Sequence, residues 1–326
     1  MSELAPADPT IDVTVCVVNW NGAQWLPDCL ESLRRVQGLR KEVIVVDNGS
    51  SDESAKLVRE MFPEVRLVAN SDNRGFARAN NQAMRLARGR CLFLLNNDAV
   101  LREGCLESLV HFLDGRPRAG MVAGRLENAD GSTQFLYYPV TLPSLASLTA
   151  DLFWLNRIWP HNRLSRSKLA REWDPSRPCR MEQIPGACML VRREALEAVG
   201  LFDEGYSFWY EDVDLCARFL SAGWESWYVP DAHVFHRGGA SAGRLDFYIR
   251  WLLRFRSMLR YTERHFTPVR YWTLRALVGL VLLLRLPIVI AACLWPPKGT
   301  KRTWRQAWRA YLQAWRELVT PSRVCS

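Results

Sequence analysis

Three carboxylates crowd into four residues at Glu211-Asp212-Val213-Asp214, directly behind the aromatic run Phe208-Trp209-Tyr210. Neighbouring carboxylates repel one another and raise at least one pKa, which suits proton transfer better than stability. An acidic helix N-terminus, favoured by the helix dipole, is the plain alternative. Twenty-four residues beyond Asp212 stands His236, in Val234-Phe235-His236-Arg237-Gly238-Gly239. Two further acids end apolar runs: Asp47 closes Glu42–Val46, and Asp98 follows Cys91–Leu95 through Asn96 and Asn97. Either acid alone is an ordinary turn residue; together with the later cluster they point to a reaction site.

The elements ahead of these acids must position them. The β-branched run to Asp47 reads as a strand, and Asn48-Gly49-Ser50-Ser51 as the turn after it. Ser51 or Asp52 is placed to cap a helix starting near Glu53. Cys91–Leu95 is apolar without alternation, as in a strand buried on both faces of a parallel sheet. Through residue 110 the pattern predicts strands at 13–18, 42–47, 65–69 and 91–96, and helices at 24–35, 52–61 and 76–87. That rhythm is α/β, a parallel sheet with helices on both faces. Ligands of such sheets bind beyond the carboxyl ends of the strands, so Asp47 and Asp98 share a rim where a nucleotide could meet them.

Six segments fall in order across residues 11–240: Val13–Gly22, Val45–Ser50, Asn73–Asn81, Leu94–Asp98, Pro185–Arg193 and Tyr210–Cys216. On these the chain closely resembles the family 2 glycosyltransferases, in particular the bacterial rhamnosyltransferase-like branch that builds cell-surface polysaccharide. The resemblance implies a GT-A type nucleotide-sugar-binding fold with a mainly parallel central sheet over residues 11–243. It also implies inverting, metal-dependent transfer of a sugar to a lipid-linked or cell-surface glycan, with dTDP-rhamnose as the expected donor. Galactofuranose or an N-acetylhexosamine is an alternative sugar, and a catalytically silent membrane-binding scaffold an alternative role.

Site residues follow from the same resemblance. Mg²⁺ or Mn²⁺ is placed at the end of the Leu94–Asp98 strand, where the family often has Asp-x-Asp. Here the motif is Asn96-Asn97-Asp98, which leaves one carboxylate and a neutral amide at Asn96 that can hydrogen-bond ribose or metal-bound water. His236 matches a histidine that reaches the metal or the diphosphate. Asp212 is implied as the general base, Glu211 as a residue that orients the acceptor hydroxyl, and Asp214 as support for the helix start. Trp209 and Tyr210 form either a stacking face for the acceptor sugar or ordinary core. Asp47 is placed to accept from N3–H of uracil or thymine, with Asn19 beside the base or ribose. Asn73, Arg74, Gly75 and Arg78 form a turn at a helix start, where N–H groups and cations can meet phosphate; both arginines are alternatively surface charge. Gly186, in a Pro-Gly turn, lets backbone approach donor or acceptor closely. Residues 127–184, irregular and rich in Pro, Trp and Arg, are expected to be a loop insert beside the acceptor site.

Charge is divided sharply along the 326 residues. Residues 244–326 carry 16 Lys+Arg against 3 Asp+Glu, so a chain of net +9 has a body of about −4 ahead of a tail of +13. No nucleic-acid recognition motif accompanies that tail, and its aliphatic and aromatic content points to an anionic membrane surface instead. Residues 276–295 are apolar except for Arg285, and Pro287 is expected to kink or end a helix there. A hairpin or in-plane segment is therefore expected rather than a span. In 301–318, Trp304, Trp308, Tyr311, Leu312 and Trp315 recur at helical spacing among Arg302, Arg305, Arg309 and Arg316. This predicts a basic amphipathic helix at a lipid boundary, or one packing its aromatic stripe on the catalytic domain. Residues 1–10 are polar and expected to be flexible, with no secretory signal. The nine cysteines show no CxxC spacing and are expected to be free thiols in a reducing compartment. The expected location is the cytoplasmic face of a bacterial plasma membrane.

Overall fold

The computed structural model describes residues 4–138, 141–159, 173–206, 209–238, 246–294 and 301–320, without the side chains of 136, 157, 292–294 and 301–305. Phe208, Gly239, residues 160–172 of the expected insert, and the side chains of Arg302, Trp304 and Arg305 lie outside it. The chain forms two compact units. The first is Met1–Leu142, Leu169–Glu204 and Glu211–Gly243; the second is Pro143–Lys168, Gly205–Tyr210 and Arg244–Ser326.

The first unit opens with β1 (Val13–Asn19), α1 (Leu26–Arg34), β2 (Lys41–Asn48), α2 (Ser54–Met61), β3 (Arg66–Asn70), α3 (Phe76–Leu86) and β4 (Cys91–Asn96). It continues with β5 (Ala99–Leu101), α4 (Cys105–Asp114) and β6 (Ala119–Glu127). After α5 (Leu145–Leu152) and α6 (Leu155–Ile158) of the second unit come β7 (Cys179–Met181), β8 (Cys188–Arg192), α7 (Arg193–Val199), α8 (Glu211–Ser221) and β9 (Glu225–His236). One mixed sheet holds these strands in the order β3-β2-β1-β4-β8-β6-β9-β5, with β7 paired to β9. The four strands β3-β2-β1-β4 run parallel, and β8 then joins β4 antiparallel. Val13, Val15, Val17, Ile44–Val46 and Leu92–Leu95 are all buried, as unbroken apolar runs in a two-sided sheet require.

Local details differ from expectation where polar side chains had a choice. The N-cap of α2 is Glu53, without a side-chain cap bond; the expected Asp52, one residue earlier, accepts from the N–H and hydroxyl of Ser54, the first residue of α2. Within residues 1–10, the Ala5 and Asp8 N–H groups donate to the Arg85 and Arg88 carbonyls. The 127–184 stretch contains a 3₁₀ turn at Phe135–Tyr137, α5, α6 and β7, and its residues 143–168 group with the second unit. The seven described cysteines are free thiols, and all but Cys179 are buried.

The second unit adds α9 (Phe247–His265), α10 (Pro268–Leu294) and α11 (Lys301–Val319). Neither Arg285 nor Pro287 ends α10, which runs as one helix of 27 residues. The lost hydrogen bond of an interior proline costs about 3 kcal/mol, which packing along a long helix can offset. Arg285 does not face an apolar medium: it donates to the Leu152 carbonyl at 2.8 Å, and its guanidinium lies 4.3 Å over Trp154. The buried face of α11 is Ala307, Ala310, Tyr311, Ala314 and Leu318 rather than the tryptophan stripe; Trp308 and Trp315 are half-buried. This face packs on α9 and α10 inside its own unit. Tyr311 donates to the Leu282 carbonyl and Arg275 to the Leu318 carbonyl, so α10 and α11 run antiparallel.

Candidate active site

Three neighbouring strand ends form the first part of the site. Parallel registers set Asn19 beside Asp47 and Val18 beside Asn96. Asn19, buried, donates to Asp47 Oδ1 at 2.9 Å and accepts from Asn97 Nδ2 at 2.7 Å. Ser50 adds two hydrogen bonds to the Asp47 carboxylate, one from its N–H (3.1 Å) and one from its hydroxyl (2.6 Å). A carboxylate has about four acceptor positions, so the protein already occupies most of Asp47's capacity. Gly22 closes over this chain. A Cβ there would stand 2.2 Å from both Asn19 Oδ1 and Asn97 Nδ2, so only glycine admits the amide pair.

Asn48 organises the loop expected to hold phosphate. Its amide donates to Asn73 Oδ1 (3.0 Å) and accepts from the Arg74 N–H (3.0 Å) and from Asn70 Nδ2 (3.1 Å). Gly75 is the N-cap of α3, with φ +85°, and its N–H donates to Asn73 Oδ1 at 2.9 Å. The two arginines turn elsewhere: Arg74 toward Asp72 (3.4 Å) and Arg78 toward Glu204 (3.5 Å), both as exposed ion pairs. Such pairs are worth at most about 1 kcal/mol, so either side chain is free to exchange partners for an anion.

The Asp98–His236 pair is made by the sheet. β5 and β9 run antiparallel with Ala99 opposite His236, and the Arg237 N–H donates to the Asp98 carbonyl. Both side chains are buried, with His236 Nε2 3.5 Å from Asp98 Oδ1 and 3.4 Å from Asn96 Nδ2. Gln134 fixes the ring. Its Nε2 donates to the His236 carbonyl (2.6 Å) and to Asn128 Oδ1 (3.1 Å), so its oxygen is the atom 2.9 Å from His236 Nδ1. An oxygen there only accepts, so Nδ1 carries a proton and Nε2 is the ring atom turned toward Asp98. Tyr137 stands edge-on to the imidazole, centroids 5.1 Å apart. Nε2 of His236 and the Asp98 carboxylate face one another and together offer one nitrogen and one oxygen ligand to a divalent cation. Among the described residues no third acid, histidine or thiol completes a cluster. That suits Mg²⁺ or Mn²⁺, which keeps waters and takes substrate phosphate oxygens with few protein ligands. Beside His236 a cleft of about 350 Å³ is lined by Trp25, Asn128, Ala129, Phe235, Arg237 and Gly238; Arg237 lies 4.1 Å over the Trp25 ring.

The carboxylate cluster adjoins the same sheet edge. Leu95 pairs with Cys188, and the Asn96 N–H donates to the Ala187 carbonyl, which sets Gly186 next to the end of β4. The Gly186 N–H donates to Asp212 Oδ2 at 3.1 Å, and a Cβ on Gly186 would approach the Asp212 Cβ to 3.3 Å. Asp212 Oδ1 accepts from the Val213 N–H at 2.8 Å at the start of α8. Glu211 is buried, its Oε2 has no hydrogen-bond partner among the described residues, and burial, aided by Asp212, pushes its pKa up to about 8. It is therefore protonated at neutral pH and leaves the charge on Asp212. Asp214 lies in the first turn of α8, fully buried, and takes a 2.8 Å bond from Arg218, whose other nitrogens donate to the carbonyls of Val199, Gly200 and Leu201. It is a clamp on the loop after α7 more than a helix-start residue.

The sequence-expected residues thus fall into three groups. Asn19 with Asp47, Asn96 with Asp98 and His236, and Gly186 with Asp212 are in contact. Arg74 and Arg78 engage carboxylates. Trp209 and Tyr210 belong to the second unit, where Arg254 lies 5.9 Å over the Trp209 ring and Tyr210 meets Tyr261 at 5.6 Å. Both have positive φ, +62° and +69°, uncommon for aromatic residues. Sequence reasoning missed Asn97, Gly22, Ser50, Asn48, Gln134 and Tyr137. Four of these lie inside or beside motifs already noted, whereas nothing in the sequence marks Gln134 or Tyr137.

Comparison with known proteins places this arrangement. The profile of Glycosyl transferase family 2 matches residues 14–200. An N-acetylglucosaminyl-diphospho-decaprenol L-rhamnosyltransferase of Mycobacterium tuberculosis is 31% identical over 244 residues, 71% of this chain and 77% of the relative. Among solved structures, a mannosyltransferase from Pyrobaculum calidifontis, in complex with GDP-Man and Mn²⁺, superposes with a TM-score of 0.52 at 19% identity, covering 98% of this chain and 90% of the other. TarS 1-349 of S. aureus in complex with UDP gives 0.51 at 14% identity, over 93% and 81%. The fold is the GT-A type expected of the sequence.

Proposed function

The chain belongs to glycosyltransferase family 2, and from that premise we propose that it transfers a sugar, L-rhamnose from dTDP-rhamnose, to a lipid-linked glycan with inversion of the anomeric centre. The donor rests on the likeness to the mycobacterial L-rhamnosyltransferase, whose acceptor is a diphospho-decaprenol-linked sugar. The observation that carries the reaction is that the end of β4 leads to both parts: Asn96 stands beside His236, and its N–H donates to Ala187, next to the Gly186 that holds Asp212.

In this reading Asn19 and Asp47 receive the base or ribose, and the Asn73–Gly75 turn with Arg74 and Arg78 meets the diphosphate. Asp98 and His236 would hold Mg²⁺ or Mn²⁺, and Asn96 would hydrogen-bond the ribose or a water beside the cation. A cation bound there supplies Lewis-acid neutralisation of the charge that builds on the departing diphosphate. Asp212 takes the proton of the acceptor hydroxyl as its oxygen attacks the anomeric carbon. The Gly186 N–H fixes the orientation of that carboxylate, and neutral Glu211 can donate to the acceptor while leaving Asp212 as the charged member of the Glu211–Asp212 pair. One in-line displacement uses one base and gives inversion. Trp209, the exposed ring of the two, would offer a face for the acceptor sugar, whereas Tyr210 is buried against Tyr261. The acceptor's lipid and the basic 244–326 segment together favour work at an anionic membrane surface, the cytoplasmic leaflet.

The test is turnover of a donor panel (dTDP-rhamnose, UDP-galactofuranose, UDP-N-acetylglucosamine, GDP-mannose) with polyprenyl-diphosphate-linked acceptors, with and without Mg²⁺ or Mn²⁺. Consumption of dTDP-rhamnose alone, dependent on cation and lost in Asp212→Asn, is the expected result. Preference for another donor would replace the sugar, and donor binding without turnover on any acceptor would favour a silent scaffold.

A further inference from the structure

Helix α10 has two unlike faces. Leu274, Arg275, Val278, Val281 and Leu282 are buried against the second unit. The opposite face, Trp272, Thr273, Ala276, Leu280, Leu283, Leu284, Pro287, Ile288 and Ala291, is exposed along its whole length. No charged residue interrupts it, and at 1.5 Å per residue it is about 30 Å long. Leu284 and Ile288 are 61% and 65% exposed. Continuous apolar surface of this kind on a folded protein marks an interaction face.

Two observations identify the partner as lipid. Arg285, the charge nearest the stripe, is turned away from it onto the Leu152 carbonyl and the Trp154 ring. That bond ties the α5–α6 tip to α10, and the tip itself exposes Trp154, Leu155 and Ile158. The surroundings are cationic: Arg254, Arg264, Arg270, Arg309 and Arg316 are exposed on the same unit, which suits anionic headgroups.

The packing also decides the orientation. Because α11 lies antiparallel along α10, with Tyr311 at Leu282 and Leu318 near Gly279, a spanning α10 would carry exposed Arg309 and Arg316 into the hydrocarbon. Each would cost about 2.5–3.5 kcal/mol at mid-depth. Lying flat puts the uncharged stripe in the acyl boundary and the charged side of α11 in water, with no such cost.

We propose that the Trp272–Ala291 face of α10, with Trp154, Leu155 and Ile158 beside it, lies in the plane of an anionic lipid surface and does not cross it. This rests on the membrane reading above and gives it a defined contact surface.

Flotation of the full chain with sealed vesicles of phosphatidylcholine and phosphatidylglycerol tests it. Wild type and Met61→Glu, an exposed apolar site of the first unit, should float alike. Leu284→Glu/Ile288→Glu should lose roughly tenfold or more of the bound fraction, and Ile158→Glu part of it. Unchanged thermal melting and donor binding would show that the variants remain folded. A tag inserted after Lys298 and one at the N-terminus should both be digested by protease outside the vesicles. Protection of one tag would mean that α10 crosses, and would overturn the proposal. Equal flotation of wild type and stripe variants would overturn the assigned surface while leaving membrane binding intact. Failure of wild type to float would overturn the membrane reading itself. A wild-type dimer that the stripe variants abolish, without dependence on lipid, would assign the face to a second copy and overturn the proposal too.

Discussion

Glu211 keeps a carboxyl group buried, with one oxygen lacking a partner among the described residues, and stays protonated until about pH 8. The unfolded chain releases that proton near the usual glutamate value, about 4.3. Because the folded pKa is the higher one, its contribution to stability is fully present below about pH 4 and is lost as pH rises toward 8. Wild type should therefore weaken over that window by an amount on the order of a few kcal/mol, and Glu211→Gln should flatten the dependence. Urea unfolding at several pH values measures both; parallel curves would show that Glu211 does not titrate across the window. Gln134 holds His236 at two atoms, its carbonyl oxygen and the proton on Nδ1. Gln134→Leu is expected to weaken Mn²⁺ binding by roughly 10–100-fold, as loss of an outer partner of a metal-ligating histidine does. Mn²⁺ titration by electron paramagnetic resonance reads this without turnover, and unchanged affinity would remove Gln134 from that role.

At the scale of elements, the helix α8 is joined to the loop after α7 by one guanidinium that serves Asp214 and three carbonyls. Arg218→Met should cost about 3–5 kcal/mol, because it strips a fully buried carboxylate of its cation. A melting temperature lowered by several degrees is the expected readout, and an unchanged one would deny the clamp. The first seven elements were legible in the sequence within one or two residues: β1, β2 and β4 are apolar runs that stop at turn residues, and the helices lie between them. Asp47 and Asp98 stood out because they stand where such apolar runs stop, and Asp212 because it opens a helix within an acidic cluster. Legibility failed where contacts are remote. Gln134 meets His236 across 102 residues, and Arg285 finds a carbonyl 133 residues away. In α11 the packed face combines Tyr311 of the expected stripe with Ala307, Ala310 and Ala314, whose small side chains let the backbones approach, while Trp308 and Trp315 stay half-buried.

Across the whole molecule, charge follows function along the chain: a body of about −4 and a C-terminal segment of +13. Binding to anionic vesicles should therefore fall as salt shortens the Debye length from about 10 Å at 0.1 M to about 3 Å at 1 M. A residue of binding that persists at high salt would measure the apolar share, so a salt series separates the two contributions in one experiment. Insensitivity to both salt and anionic lipid content would remove the basic segment from any role at the membrane.

The line of amides that links Asp47 to Asn19 and Asn19 to Asn97 ends one residue short of Asp98. On the roles proposed for Asp47 and Asp98, it would join two distant recognition events. A donor whose base pulled on Asp47 would shift the row that leads to Asp98, and the nucleotide would be sensed as a whole rather than as separate pieces. Substituting Asp47 and Asp98 singly and together should then give donor-binding losses that fail to add by 0.5 kcal/mol or more, although the two carboxylates are not in contact. Strict additivity would mean that the row is only scaffolding, and that the two ends of the donor are read independently.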